Sequence, residues 1–142
     1  RWDARGVVSF NPWASAPTAL PRASAVVLSI EDLQSDQGQI DAYARWARLL
    51  VITRGRDGAD LYIQGRLHHV PTRTVEEVDP TGAGDIFATV FFAYLHQHPS
   101  DPISAARLAA YLATTSVSRP GLSGTPMPEE VAEAIGTLGL KE

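Results

Sequence analysis

The stretch Val78-Asp79-Pro80-Thr81-Gly82-Ala83-Gly84-Asp85-Ile86-Phe87 brings glycines and carboxylates together between a polar, β-prone segment (72–78) and an apolar, helix-like one (87–95). It reads as a strand, a turn the size of an anion and a helix start. The backbone N–H groups of Gly82, Ala83, Gly84 and Asp85 are expected to lack intrahelical partners and to face a site that favours negative charge. Glycine here removes a side chain that would block close backbone approach or forbid positive φ. Asp85 sets a carboxylate beside the same anion hole.

A carboxylate aimed at a bound phosphate repels it, unless a substrate hydroxyl lies between them. Asp85 would then hold that hydroxyl and take its proton as the oxygen attacks a γ-phosphoryl group, while the amides absorb charge developing on the transferred group. The other reading of Asp85 is a first-turn acid that stabilises a helix dipole. The sequence contains no G-x-x-x-x-G-K-[ST], and Phe87 stands where a dinucleotide fingerprint would have its third glycine.

The run resembles the D-[TP]-T-G-A-G-D signature of the ribokinase-like (PfkB) family of carbohydrate and nucleoside kinases, a long and specific motif. The resemblance implies an ATP-dependent phosphotransferase acting on an alcohol of a sugar, polyol or nucleoside, with Asp85 as base, the 82–84 amides as anion hole and magnesium on the phosphates. The D-P-T form is similar to that of inositol- and sugar-kinase branches. Family members are about twice as long, with the signature toward their C-terminal end. Residues 1–142 therefore correspond to a nucleotide-binding C-terminal half. The N-terminal half, which carries most sugar contacts and the lid, is expected to be absent and the fragment alone inactive. Binding of nucleotide or phosphate without turnover is the alternative expectation.

Length and composition agree with a single globular unit: 142 residues, 44% hydrophobic. The formal charge of −4 argues against general affinity for nucleic acid or anionic membrane. Cysteine is absent, which removes disulfides and thiolate chemistry and fits a cytoplasmic protein. No apolar run approaches a membrane span, and no signal-peptide pattern opens the chain. Removal of neighbouring strands would leave an edge or face through which a homodimer could form.

Several elements must position the signature. Residues 7–10 read as a short buried strand ending at Asn11-Pro12, followed by a Pro- and Ala-rich loop to Arg22. Residues 25–29 read as a buried parallel strand, leading into Ser29-Ile30-Glu31-Asp32. Relatives carry N-x-x-E there, so the resemblance assigns Asp32 or neighbouring Glu31 to magnesium; Asp32 as a helix cap is the equal alternative. Asp36 and Gln39 have the spacing of a capping box for a helix to about residue 48, with Ile40, Tyr43, Ala44 and Ala47 on its buried face and Asp41, Arg45 and Arg48 outside.

Residues 49–53 are the clearest central strand, and they deliver Arg54-Gly55-Arg56-Asp57-Gly58 to a strand end of the kind where open α/β sheets bind ligands. In the family a similar T-x-G-x-x-G turn borders the nucleotide. Thr53, Gly55 and Gly58 are thus candidates to line ATP, with Arg54 near its phosphates; a tight hairpin turn is compatible with that role. Strands at 59–64 and 67–70 would be joined around Gly65-Arg66, with His68 and His69 on opposite faces and so unable to share a metal. A helix over 85–96 is apolar nearly all round, and His96 and His98 suit the dipole at its end. A second helix (103–118) carries small residues, among them Ala113, and relatives place it beside the adenine. The 119–126 loop is similar to one that offers carbonyls to a monovalent cation such as K+ together with Asp79 and Thr81; Gly121 and Thr125 are the nearest matches, Gly121 also bordering the nucleotide. Pro128 opens a last helix ending near Leu138, before Gly139. The fold class expected is α/β, a mostly parallel sheet flanked by helices with one antiparallel hairpin.

Overall fold

A computed structural model describes residue 6 and residues 11–141, so the strand expected at 7–10 lies outside the described residues. The chain divides into two compact units. One comprises residues up to Thr53 together with Leu61–Leu67, the other Arg54–Asp60 together with the chain from His68 onward.

The first unit contains a short helix α1 (Ala16–Ala19), strand β1 (Val26–Ser29), helix α2 (Gln37–Trp46) and strand β2 (Leu49–Thr53). β1 and β2 run parallel, with Val26 opposite Leu50 and Ser29 opposite Thr53. A parallel pair needs a crossover, and α2 supplies it. Ile40, Tyr43, Ala44 and Ala47 bury against Leu50, Ile52, Leu20 and Leu33, while Asp41, Arg45 and Arg48 stay exposed, as the periodicity requires. Asp36 caps α2 by accepting the Gln39 N–H at 3.1 Å. The reciprocal arm expected from Gln39 is not made: its Oε1 has no partner among the described residues, and Gln37 instead reaches forward to Asp41 at 2.8 Å. The helix ends at Trp46, earlier than expected, because Ala47 takes extended backbone to enter β2 two residues later.

The sheet has the order β1-β2-β3-β4, with β3 at Ala59–Ile63 and β4 at Arg66–Val70. The connections from β2 to β3 and from β3 to β4 are too short for parallel crossovers, so the sheet is mixed. The interior strand β2 is buried over Leu49–Ile52. β1, at one edge of the sheet, is only half-buried, and β4, at the other, is exposed over Arg66–His69.

In the second unit, α3 (Ala83–Gln97) packs on α4 (Pro102–Ser116), and α4 packs on α5 (Pro128–Leu138). Phe87, Phe91 and Tyr94 of α3 are buried, as are Ala105, Ala106, Ala109 and Ala110 of α4, whose small side chains permit close approach of helix backbones. Phe92 remains 43% exposed, the part of the all-round apolar pattern that this packing leaves uncovered. Asp101 caps α4 through the Ser104 N–H at 3.1 Å, a bond that holds its carboxyl below the usual carboxylate range. Gly139 closes α5 in the left-handed conformation, with the Leu140 N–H returning to the Ile135 carbonyl at 3.0 Å.

The segment 72–78 forms no strand, contrary to its propensity. Part of it docks on α4 and the residue after that helix instead of on a neighbouring strand. Thr72 bonds Thr114, Arg73 bonds Thr115 at 2.8 Å and lies 3.8 Å over the Tyr111 ring, and the Val117 carbonyl accepts the N–H groups of both Val78 and Asp79 at 2.8 and 3.0 Å.

Candidate active site at the glycine turn

The second unit gathers most of the signature at the N-terminus of α3. Gly82 is the N-cap, in the left-handed region at φ 83°, which a glycine adopts without strain. The helix begins at Ala83, two residues before its expected start. One of the four expected donors is therefore corrected: the Ala83 N–H closes a turn onto the Pro80 carbonyl at 3.1 Å. The N–H groups of Gly82, Gly84 and Asp85 have no hydrogen-bond acceptor among the described residues. A Cβ at either Gly82 or Gly84 would meet nothing within 4 Å, and Gly84 is exposed. The Asp85 side chain is exposed, with neither a hydrogen bond nor an ion pair among the described residues.

Asp79 ties this turn to the 119–125 loop. Its Oδ1 accepts the Thr81 N–H at 3.0 Å and its Oδ2 the Gly121 N–H at 2.9 Å. Hydrogen bonds from Thr81, then from Gly121, hold its carboxyl below the usual carboxylate range. Asp79, Thr81 and Gly121 are thus brought together as expected of neighbours, and Thr125 ends the same loop with its N–H on the Leu122 carbonyl at 3.1 Å. Arg119 holds the far end of the loop, bonding Glu130 at 2.9 Å. Ala113 lies half-buried on α4.

The 54–58 turn has a different character. Gly58, at φ 88°, is buried, and an added Cβ would collide with the Val70 carbonyl and Pro71, so this glycine is explained by packing within the chain. Gly55, at φ 54°, faces open space. Arg54 Nε is engaged by Asp60 at 2.5 Å, and the other Asp60 oxygen is held by His69 Nδ1 at 2.7 Å. Asp60 is not singled out in the sequence, and His69 is weighed there only as a metal ligand. The available signal was a carboxylate inside the otherwise apolar or aromatic run Ala59-Asp60-Leu61-Tyr62-Ile63.

Thr53, Glu31 and Asp32 belong to the first unit. Thr53 Oγ1 reaches the Leu28 carbonyl at 3.4 Å, and its own carbonyl accepts the Ile30 N–H, tying the ends of β1 and β2. Asp32 caps no helix: residues 30–35 form turns, and its Oδ2 closes one of them by accepting the Ser29 N–H at 2.9 Å. Glu31 is exposed.

Comparison with known proteins bears on this arrangement. Residues 24–130 match the profile of the pfkB family of carbohydrate kinases. A fructokinase of Klebsiella pneumoniae is 35% identical over 131 residues, covering 78% of this chain and 42% of its own length. An inositol 3-kinase of Zea mays is 33% identical over 123 residues, covering 85% of this chain and 31% of its own. The chain thus spans less than half the length of these curated relatives.

Among solved structures, a chain described as ribokinase II from E. coli, in complex with ATP and Mg2+, matches with a TM-score of 0.71 at 26% identity, over 85% of this chain and 42% of that one. A fructokinase of Vibrio cholerae, bound to fructose, ADP and potassium ion, matches in fold with a TM-score of 0.69 at 24% identity, over 82% of this chain and 42% of that one. Among the described residues no helix is long and apolar enough to cross a membrane. With the family profile matched over most of its length and a ribokinase-like fold carrying the signature at a helix start, the chain belongs to the pfkB family of carbohydrate kinases.

Proposed function

We propose that this chain is the nucleotide-binding half of a kinase that moves the γ-phosphoryl group of ATP to a hydroxyl of a sugar, polyol or nucleoside, and that alone it binds nucleotide without turnover. The observation that carries this reading is the open turn: three unengaged amides at Gly82, Gly84 and Asp85 beside an exposed, unpartnered carboxylate. In the proposed reaction these amides hold the oxygens of the transferred group as charge develops on them. Asp85 accepts the proton of the attacking hydroxyl as a new oxygen–phosphorus bond forms. The bond to the bridging oxygen breaks, and ADP leaves with the electron pair. Thr53, Arg54, Gly55, Gly58, Ala113 and Gly121 are assigned to the nucleotide, with Gly58 contributing shape rather than contact.

No group of three or more His, Cys, Asp or Glu side chains among the described residues could hold a metal by itself. A magnesium ion carried mainly by nucleotide phosphates needs only one or two carboxylates. Glu31 and Asp32 would hold it, Asp32 through the oxygen that Ser29 does not occupy. Bound there, magnesium supplies neutralisation of phosphate charge. A monovalent cation is assigned to Asp79, Thr81, Gly121 and Thr125; each Asp79 oxygen accepts one N–H and keeps a lone pair. The same reading places the protein in the cytoplasm, with small molecules rather than nucleic acid or membrane as partners.

Calorimetric titration of the chain with ATP and magnesium, beside a coupled kinase assay over sugars, polyols and nucleosides, tests the proposal. Binding without turnover is expected, and absence of nucleotide binding overturns it. In any longer chain that contains this sequence and turns over, Asp85→Asn is expected to lower kcat by about 10²–10⁴-fold with ATP affinity preserved. An unchanged kcat removes Asp85 from the chemistry.

A further inference from the structure

Asp60 is only 7% exposed, and it sits on β3 among Ala59, Leu61 and Tyr62, all buried. A carboxylate in such surroundings requires partners. It has one on each oxygen: Arg54 Nε at 2.5 Å and His69 Nδ1 at 2.7 Å. Because His69 holds the second oxygen, Asp60 does not grip Arg54 with the two parallel bonds typical of arginine–carboxylate forks. The terminal guanidinium nitrogens of Arg54 consequently have no partner among the described residues, on a side chain that is 27% exposed. Arg54 opens the turn whose Arg56 comes within 4.0 Å of Glu77, in the segment that leads into the signature.

A buried ion pair is weak as a stabilising device, since apolar residues of similar volume serve as well or better. What the trio does provide is direction: an arginine fixed through Nε with its terminal fork unspent. We propose that Asp60 and His69 are positioning residues that hold Arg54 ready to bind an oxyanion of the nucleotide's phosphate chain. The inference rests on the nucleotide reading above and names the residues that orient one of its contacts. A planar fork matches two phosphate oxygens, a geometry that lysine lacks.

Titration of the chain and its variants with magnesium–ATP and, separately, with adenosine tests the role. Arg54→Ala is expected to weaken ATP binding about tenfold or more, the scale of a hydrogen bond to a charged group, and to leave adenosine binding unchanged. Asp60→Ala should lose most of the same factor, and the double variant should bind no more weakly than Arg54→Ala alone, since both remove one contact. Asp60→Asn, whose amide can accept from Arg54 and donate to His69, should recover most of the affinity; if Asp60→Ala fails to fold, His69→Ala, at a half-exposed position, frees the second Asp60 oxygen to take the Arg54 fork and should weaken ATP binding in the same direction. The proposal is overturned if Asp60→Ala binds ATP as the unmodified chain does, or if the losses at Arg54 and Asp60 add. If Gly84→Ala abolishes ATP binding while Asp60→Ala leaves it intact, this inference alone falls. If the unmodified chain binds no nucleotide, the reading beneath it falls as well.

Discussion

At Gly58 the backbone takes φ 88°, and an added Cβ would meet the Val70 carbonyl and Pro71; at Gly84 φ lies outside the left-handed region, and a Cβ would meet nothing within 4 Å. The first glycine is required by the chain itself, which needs both its conformation and its lack of bulk. The second sits in the first turn of α3, where alanine would suit the helix better, and nothing among the described residues uses the space it leaves. In the proposed function that space and the N–H groups beside it, unengaged among the described residues, serve an anion. Two glycine turns that look alike in sequence thus separate into one that builds the fold and one that the proposed function assigns to a ligand.

Alanine at each position breaks this comparison if it is wrong. Gly58→Ala combines a positive-φ penalty with overpacking against backbone and should destabilise the chain by about 2–5 kcal/mol, read from the denaturant midpoint. Gly84→Ala should leave stability unchanged or raise it by up to about 1 kcal/mol, the helix-propensity gain, while ATP affinity falls at least about tenfold. Equal effects on stability at the two positions would erase the distinction drawn here.

A smaller effect sharpens it further. The Asp79 carboxyl is held below its ordinary value by the hydrogen bonds from Thr81 and Gly121 that tie the ligand turn to the 119–125 loop. Because the folded-state value is depressed, the stabilisation is fully present above the unfolded carboxylate value of about 3.9 and is lost as pH falls through the lowered one. Asp101, lowered by Ser104, and Glu130, lowered chiefly by the Met127 N–H, act in the same direction. Unfolding midpoints should be flat near neutrality and decline in the acid range, with Asp79→Asn reducing that decline and speeding hydrogen exchange at Gly121. An acid profile identical in Asp79→Asn would show that the tether contributes nothing.

Much of the architecture was legible because it is local. The α2 face, the Asp36 cap, the run of β2 and the Gly139 stop of α5 each follow from spacing within a few residues. The segment 72–78 was misread because Thr72, Thr74, Val75 and Val78 carry β propensity, whereas a strand also requires a partner edge. The Thr114, Thr115 and Val117 groups that dock it lie some forty residues away. Asp60, Arg54 and His69 become neighbours only once the turns on either side of β3 are closed. At the signature itself the motif located the glycine turn at the start of α3, but which amides stay free depends on the turn that Ala83 makes with Pro80.

The most direct test of the account is an amide-resolved 1H–15N NMR titration of the chain with magnesium–ATP. The expected result is that the largest shifts fall on Gly82, Gly84 and Asp85, with a smaller one on Ala83, whose N–H is already bonded to Pro80. Saturable ATP binding that leaves those three amides unmoved would contradict it.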